Sequence, residues 1–124
     1  MKNSAKLLLE FSIILGIFTL ITTYLVSTAS GRVAPFIPII SEMPFSEPEE
    51  SIFSTGLGIS LFGTFLIIQV LYRLFQPLAK NLGDFYVKGA RISWIAATIG
   101  SICGIITVSF NWKEFPVLHG ITAF

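Results

Sequence analysis

Few residues in this chain have the chemistry to form a reactive site. His119 is the single histidine and Cys103 the single cysteine among 124 residues. That excludes a paired-imidazole metal centre, a cysteine-ligated zinc and an intramolecular disulfide. No G-x-S-x-G, H-E-x-x-H, P-loop or G-x-G-x-x-G pattern occurs. The best constellation is Ser41, Glu42, Asn111 and His119, which the topology argued below brings to one membrane face, where a histidine could pair with a carboxylate. A plainer reading hydrogen-bonds His119 to a loop carbonyl and so locks that loop to the rest of the protein. Glu10, four residues after Lys6, reads first as an ion-pair partner at headgroup level and second as a proton relay. Gln69 is expected to make an interhelical hydrogen bond rather than a substrate contact, and Cys103 to be a small packing residue. No catalytic residue, metal ligand or cofactor is assigned, and the expectation is a protein that is not an enzyme.

The elements that must position these residues are membrane spans. The chain is 53% hydrophobic and 12% charged, with a mean hydropathy of +0.81, far from the roughly 25% charged residues of soluble domains. A soluble domain this small could not hide so much apolar surface. The net charge of +1 leaves no electrostatic footprint for nucleic acid. The expected fold is all-α: a multi-pass helical bundle with spans at about 8–30, 50–73 and 90–112 and the start of a fourth at 115–124.

The first span follows Lys2 and Lys6 and is uncharged from Phe11 to Gly31, ~30 Å of helix, which matches the hydrocarbon thickness. A cleaved signal peptide is the rival reading, but its apolar core would run only ~7 to 15 residues. Residues 31–49 form a proline-punctuated acidic loop, too apolar for a freely solvated linker, and are expected to lie ordered on the membrane surface. At its end Ser46-Glu47-Pro48-Glu49 fits a capping box and predicts a helix starting near Glu47. Arg73 and Pro77 are expected to close the second span, and residues 74–89 to form a basic connector with a turn at 81–84. Asp84 is the expected N-cap of the third helix. Pro116 can open a fourth helix, which at ~15 Å covers half a bilayer. The chain therefore reads as a truncated or fragmentary product, or as ending in an interfacial tail.

Charge sets the expected orientation. Lys2, Lys6, Arg73, Lys80, Lys88 and Arg91 fall on one side, and Arg32 and Lys113 on the other. The positive-inside rule then places the N-terminus and the 74–89 connector in the cytosol and the 31–49 loop outside or in a lumen. Small or weakly polar residues recur at helical spacing: Ser12, Gly16, Thr19 and Thr23, then Gly56, Ser60 and Gly63, then Ala97, Gly100 and Gly104. Such stripes predict close helix packing, with Gly56, Ser60, Gly100 and Gly104 as contact points. Gly100-x-x-x-Gly104 offers homodimerisation through the third span as the alternative.

Together the loop residues Pro38-Ile39-Ile40-Ser41-Glu42, Pro48-Glu49 and Phe53 resemble the first lumenal loop of the DRAM family, the damage-regulated autophagy modulators. Arg73, and Phe110 followed by His119 and Ala123, continue the pattern. Three positions depart from it: Glu42 stands for the usual aspartate, Ser51 for a cysteine and Ser109 for an asparagine. The missing cysteine counts against a lumenal disulfide. The resemblance implies a six-span architecture and a non-enzymatic protein tied to autophagy, in lysosomal or other endomembranes, with Golgi or plasma membrane as alternatives. It also implies a competing class, lipid handling, because relatives act in GPI-anchor remodelling and in organising phosphatidylinositol 4-kinase. The expected partners are the lipid bilayer and membrane or cytosolic proteins of unknown identity.

Overall fold

The computed structural model describes residues 2–34, 40, 43–44, 46–110 and 113–123, with Lys2 described for its backbone alone. Four helices follow one another: α1 (Lys2–Ala29), α2 (Glu49–Leu82), α3 (Asp84–Ser109) and α4 (Pro116–Ala123). The first three are long and apolar enough to cross a membrane. α2 is the common partner, packed by α1 on one side and α3 on the other, while α4 folds back on α3.

The exposed and buried sides are inverted relative to a soluble bundle. Leu7, Ile14 and Phe18 of α1 face outward, whereas Ser12, Thr19, Thr23 and Ser27 of the same helix are buried. Lipid is as apolar as leucine, so no hydrophobic force draws the helices together, and small side chains that admit close backbone approach do so instead. Ser12 and Thr19 satisfy their hydroxyls on the carbonyls of Leu8 and Leu15, both at 2.8 Å, which removes the cost of burying them.

α1 and α2 run antiparallel in a register fixed by three glycines. A Cβ at Gly56 would collide with Thr19, one at Gly63 with Ser12, and one at Gly16 would sit 2.8 Å from the Ser60 hydroxyl. Ser60 Oγ crosses the seam to donate to the Ser12 carbonyl at 2.6 Å. In this register Thr23 and Ser27 lie opposite the first turns of α2.

The ends of α2 differ from the sequence expectation. The helix begins at Glu49, with Pro48 as an N-cap that makes no side-chain capping bond. The capping box does not form: with the helix starting at Glu49, Ser46 is not the N-cap and Glu49 is not at the third helical position, and the Glu49 carboxylate pairs with Arg32. Instead Glu50 N donates to Ser46 O at 3.0 Å and Ile52 N to Pro48 O at 3.1 Å.

Pro77 does not end the span: α2 continues through it to Leu82, so most of the expected 74–89 connector is helix. An internal proline costs about 3 kcal/mol through a lost hydrogen bond and a clash, and the packing of this segment on α3, where Ala79 is buried, offsets it. The chain reverses at Gly83, whose φ of +111° suits a residue without Cβ. Gly83 N closes α2 on Ala79 O at 3.1 Å, and its carbonyl accepts from Tyr86 N and Val87 N at 3.0 and 3.3 Å to open α3. Gly83, not Asp84, is therefore the N-cap, and Asp84 supplies its charge from within the first turn.

Candidate functional site

One polar centre lies at the start of α2 and a second within it, around Gln69. The first is built by the end of α1. Gly31 adopts φ +67°, and Arg32 N returns to Ser27 O at 3.1 Å while Gly31 N bonds Thr28 O at 3.0 Å. This is a Schellman closure, which glycine permits at the left-handed position. It points the chain back across the helix end and delivers Arg32 to the start of α2.

There the Arg32 guanidinium pairs with Glu49 Oε2 and also donates to the Glu47 carbonyl at 2.9 Å. Glu49 is fully buried and Arg32 about one-third exposed. A buried carboxylate is costly without a partner, and here it gains both a guanidinium and the positive end of the α2 dipole. Ser27, also fully buried, donates to the Met43 carbonyl at 2.5 Å and so ties the loop to α1. Two buried atoms in this region, Glu49 Oε1 and Thr23 Oγ1, have no hydrogen-bond partner among the described residues. Phe53, one turn beyond Glu49, is buried in the apolar part of the seam.

The second centre joins α2 to α3. Trp94 Nε1 donates to Gln69 Oε1 at 2.8 Å, and Gln69 Nε2 donates to Thr98 Oγ1 at 3.2 Å. The indole can only donate, which sets the orientation of the amide. The Tyr72 ring stacks on Trp94, centroids 4.6 Å apart at 15°, and its hydroxyl accepts from Gln76 Nε2 at 2.7 Å. Arg73, the next residue, is exposed. An apolar groove of about 580 Å³ runs along this seam, with Tyr72 and Trp94 among its walls.

His119, on α4, places Nδ1 2.8 Å from the Phe110 carbonyl at the end of α3. A carbonyl only accepts, so Nδ1 carries the hydrogen. Phe110 also meets Phe115 edge-on, centroids 5.2 Å apart, and Thr107 donates to Thr122 at 2.8 Å. These contacts hold α4 on α3. Of the pair weighed for helix packing in α3, Gly104 abuts Leu61 at 3.4 Å, while Gly100 faces open space. Lys6 and Glu10 form an exposed pair at 3.7 Å. Pro38, Ser41, Glu42 and Asn111 lie outside the described residues, so the expected grouping with His119 is placed only at His119.

Sequence reading counted Arg32 only as a topological charge and missed Ser27. The available signal was that Arg32 is the lone base beside an acidic loop, directly after a glycine that can turn the chain.

The sequence between residues 4 and 124 matches the family model described as Frag1/DRAM/Sfk1/Cwh43P N-terminal domain. DNA damage-regulated autophagy modulator protein 1 from Homo sapiens and from Mus musculus are each 28% identical to the chain over 102 residues. Those alignments cover 80% of this chain and 42% of each relative, so the matched region is less than half the length of either. No solved structure matches significantly. Three membrane-length helices, a Pro48-Glu49 start to α2 with Phe53 buried behind it, and a family match across almost the whole chain converge on one assignment: this is an integral membrane protein that belongs to the Frag1/DRAM/Sfk1/Cwh43P family.

Proposed function

We propose that the chain is a DRAM-type modulator of autophagy, acting in lysosomal or other endomembranes by assembly with other membrane components rather than by catalysis. The observation that carries this reading is the sequence shared with two autophagy modulator proteins over 80% of the chain. Because the chain corresponds to 42% of each of them, extending their role to it is itself part of the proposal.

Three features support it. Among the described residues, Arg32 is bonded to Glu49, Gln69 to Trp94 and Thr98, and His119 to the Phe110 carbonyl, all structural contacts. Ser27 donates to the Met43 carbonyl and Arg32 to the Glu47 carbonyl, so two described points near the end of the 31–49 segment are tied to the α1 terminus. The excess of lysine and arginine at the N-terminus and around the α2–α3 reversal favours a cytosolic N-terminus and a lumenal loop.

The test is the location of the N-terminally tagged chain in living cells, together with autophagic flux when it is removed or replaced by Arg32→Ala. Lysosomal or late-endosomal signal with altered flux is expected. Golgi, ER or plasma-membrane signal with unchanged flux would overturn the reading.

A further inference from the structure

The geometry points to the α2–α3 groove as a binding site for an anionic glycerophospholipid, with one acyl chain lying between the helices and the phosphate held by the basic residues of the same hairpin. This inference is independent of the autophagy reading.

The groove, about 580 Å³, falls within the roughly 300 to 1,000 Å³ of ordinary ligand sites. Its walls include Ile68, Phe75 and Leu78 of α2 and Gly89, Ala90 and Ala97 of α3. It stays open because the α3 wall is low: a Cβ at Gly89 would meet nothing within 4 Å. Two of its polar groups, the Tyr72 hydroxyl and the Trp94 indole, are already bonded to Gln76 and Gln69. The lining therefore selects an aliphatic occupant.

From Ile68, inside the uncharged stretch of α2, to Leu82 at its end the groove runs ~21 Å. Arg73, the first charge after the uncharged stretch, stands ~7 Å along α2 from Ile68, so the inner end of the groove opens on the edge of the hydrocarbon, where an acyl chain can enter, and the rest runs along the hairpin at headgroup level. There the hairpin carries its charge. Arg73, Lys80, Lys88 and Arg91 are all exposed, and each is the chain neighbour of a lining residue: Tyr72, Ala79, Gly89 and Ala90. Asp84 is the only acid between residues 73 and 91. Basic sites between membrane helices suit anionic headgroups. A second copy docked here would bring a like-charged hairpin against the first, which disfavours it.

The test uses the full chain in nanodiscs of phosphatidylcholine with or without phosphatidylserine, with retained lipid identified by native mass spectrometry after release. Wild type is expected to keep phosphatidylserine in preference to phosphatidylcholine. Gly89→Trp fills the groove and should lower retention at least about tenfold, with Gly89→Leu intermediate. Gly100→Leu, at another open helical glycine outside the groove, should retain lipid as wild type does, provided circular dichroism shows all variants equally helical. Replacing Arg73, Lys80, Lys88 and Arg91 by glutamine should remove the preference for phosphatidylserine while leaving a lipid bound. Equal retention of the two lipids by wild type, undiminished phosphatidylserine on Gly89→Trp, or a dimer that Gly89→Trp dissolves would each overturn the proposal.

Discussion

Along one face of α2, Gly56, Ser60 and Gly63 admit α1 to backbone distance. On the other face α2 meets α3 through Gln69, Tyr72 and Trp94 and leaves open along them a groove that Tyr72 and Trp94 help to line. Lipid supplies no hydrophobic drive to either contact, so each needs its own adhesive. The α1 face uses shape: small residues and close approach, with Ser12 and Thr19 bonded within their own helix and one hydroxyl, Ser60, donating across. The α3 face uses a few directional bonds around stacked rings, with an apolar groove left open along the same seam. The lesson is that a membrane helix can be closed on one side and receptive on the other without changing its overall apolarity.

The largest test of this contrast strikes the closed side at its charged end. Arg32→Ala leaves the fully buried Glu49 without its guanidinium and should cost about 3–5 kcal/mol, read from denaturant unfolding in detergent micelles. Adding Glu49→Gln should recover a large part of that loss. If Arg32→Ala unfolds like wild type, the clasp does not hold the α1–α2 pair.

Next comes shape. Gly56→Leu drives a side chain into Thr19, and overpacking of this kind costs about 1–3 kcal/mol. Gly58→Leu, on the same helix with open space at its Cβ, is the matched control and should be nearly neutral. Equal effects at both positions would remove the claim that α1 packs by close approach.

A smaller loss is expected on the α3 side. Gln69→Ala strands the Trp94 indole and should cost about 0.6–2 kcal/mol, the range of interhelical hydrogen bonds in membranes. It should also blue-shift and broaden tryptophan fluorescence as the ring loses its bond. The smallest change is Thr23→Val. Thr23 Oγ1 is buried without a partner among the described residues, so this near-isosteric swap should be neutral or stabilising by up to about 1 kcal/mol. A clear destabilisation would mean that the hydroxyl has a bond the described residues do not supply.

The amino-acid sequence by itself determined the class of fold and the family. Each span depends on the summed transfer energy of a contiguous run, which is additive and local and can be read residue by residue. The small-residue stripes were legible for the same reason, since helical periodicity places Ser12, Thr19, Gly56, Ser60 and Gly63 on their faces. The ends of the elements were less legible, because Pro77 and the Ser46-Glu49 box signal boundaries that nearby packing and pairing override.

Only the tertiary structure decided that Glu49 pairs with Arg32, 17 residues away, that Ser27 holds Met43, and that α2 and α3 leave along their seam a groove that Tyr72 and Trp94 help to line. Each depends on the direction in which Gly31 or Gly83 sends the chain and on the register of two helices. Those are relations between distant residues, and no local pattern encodes them.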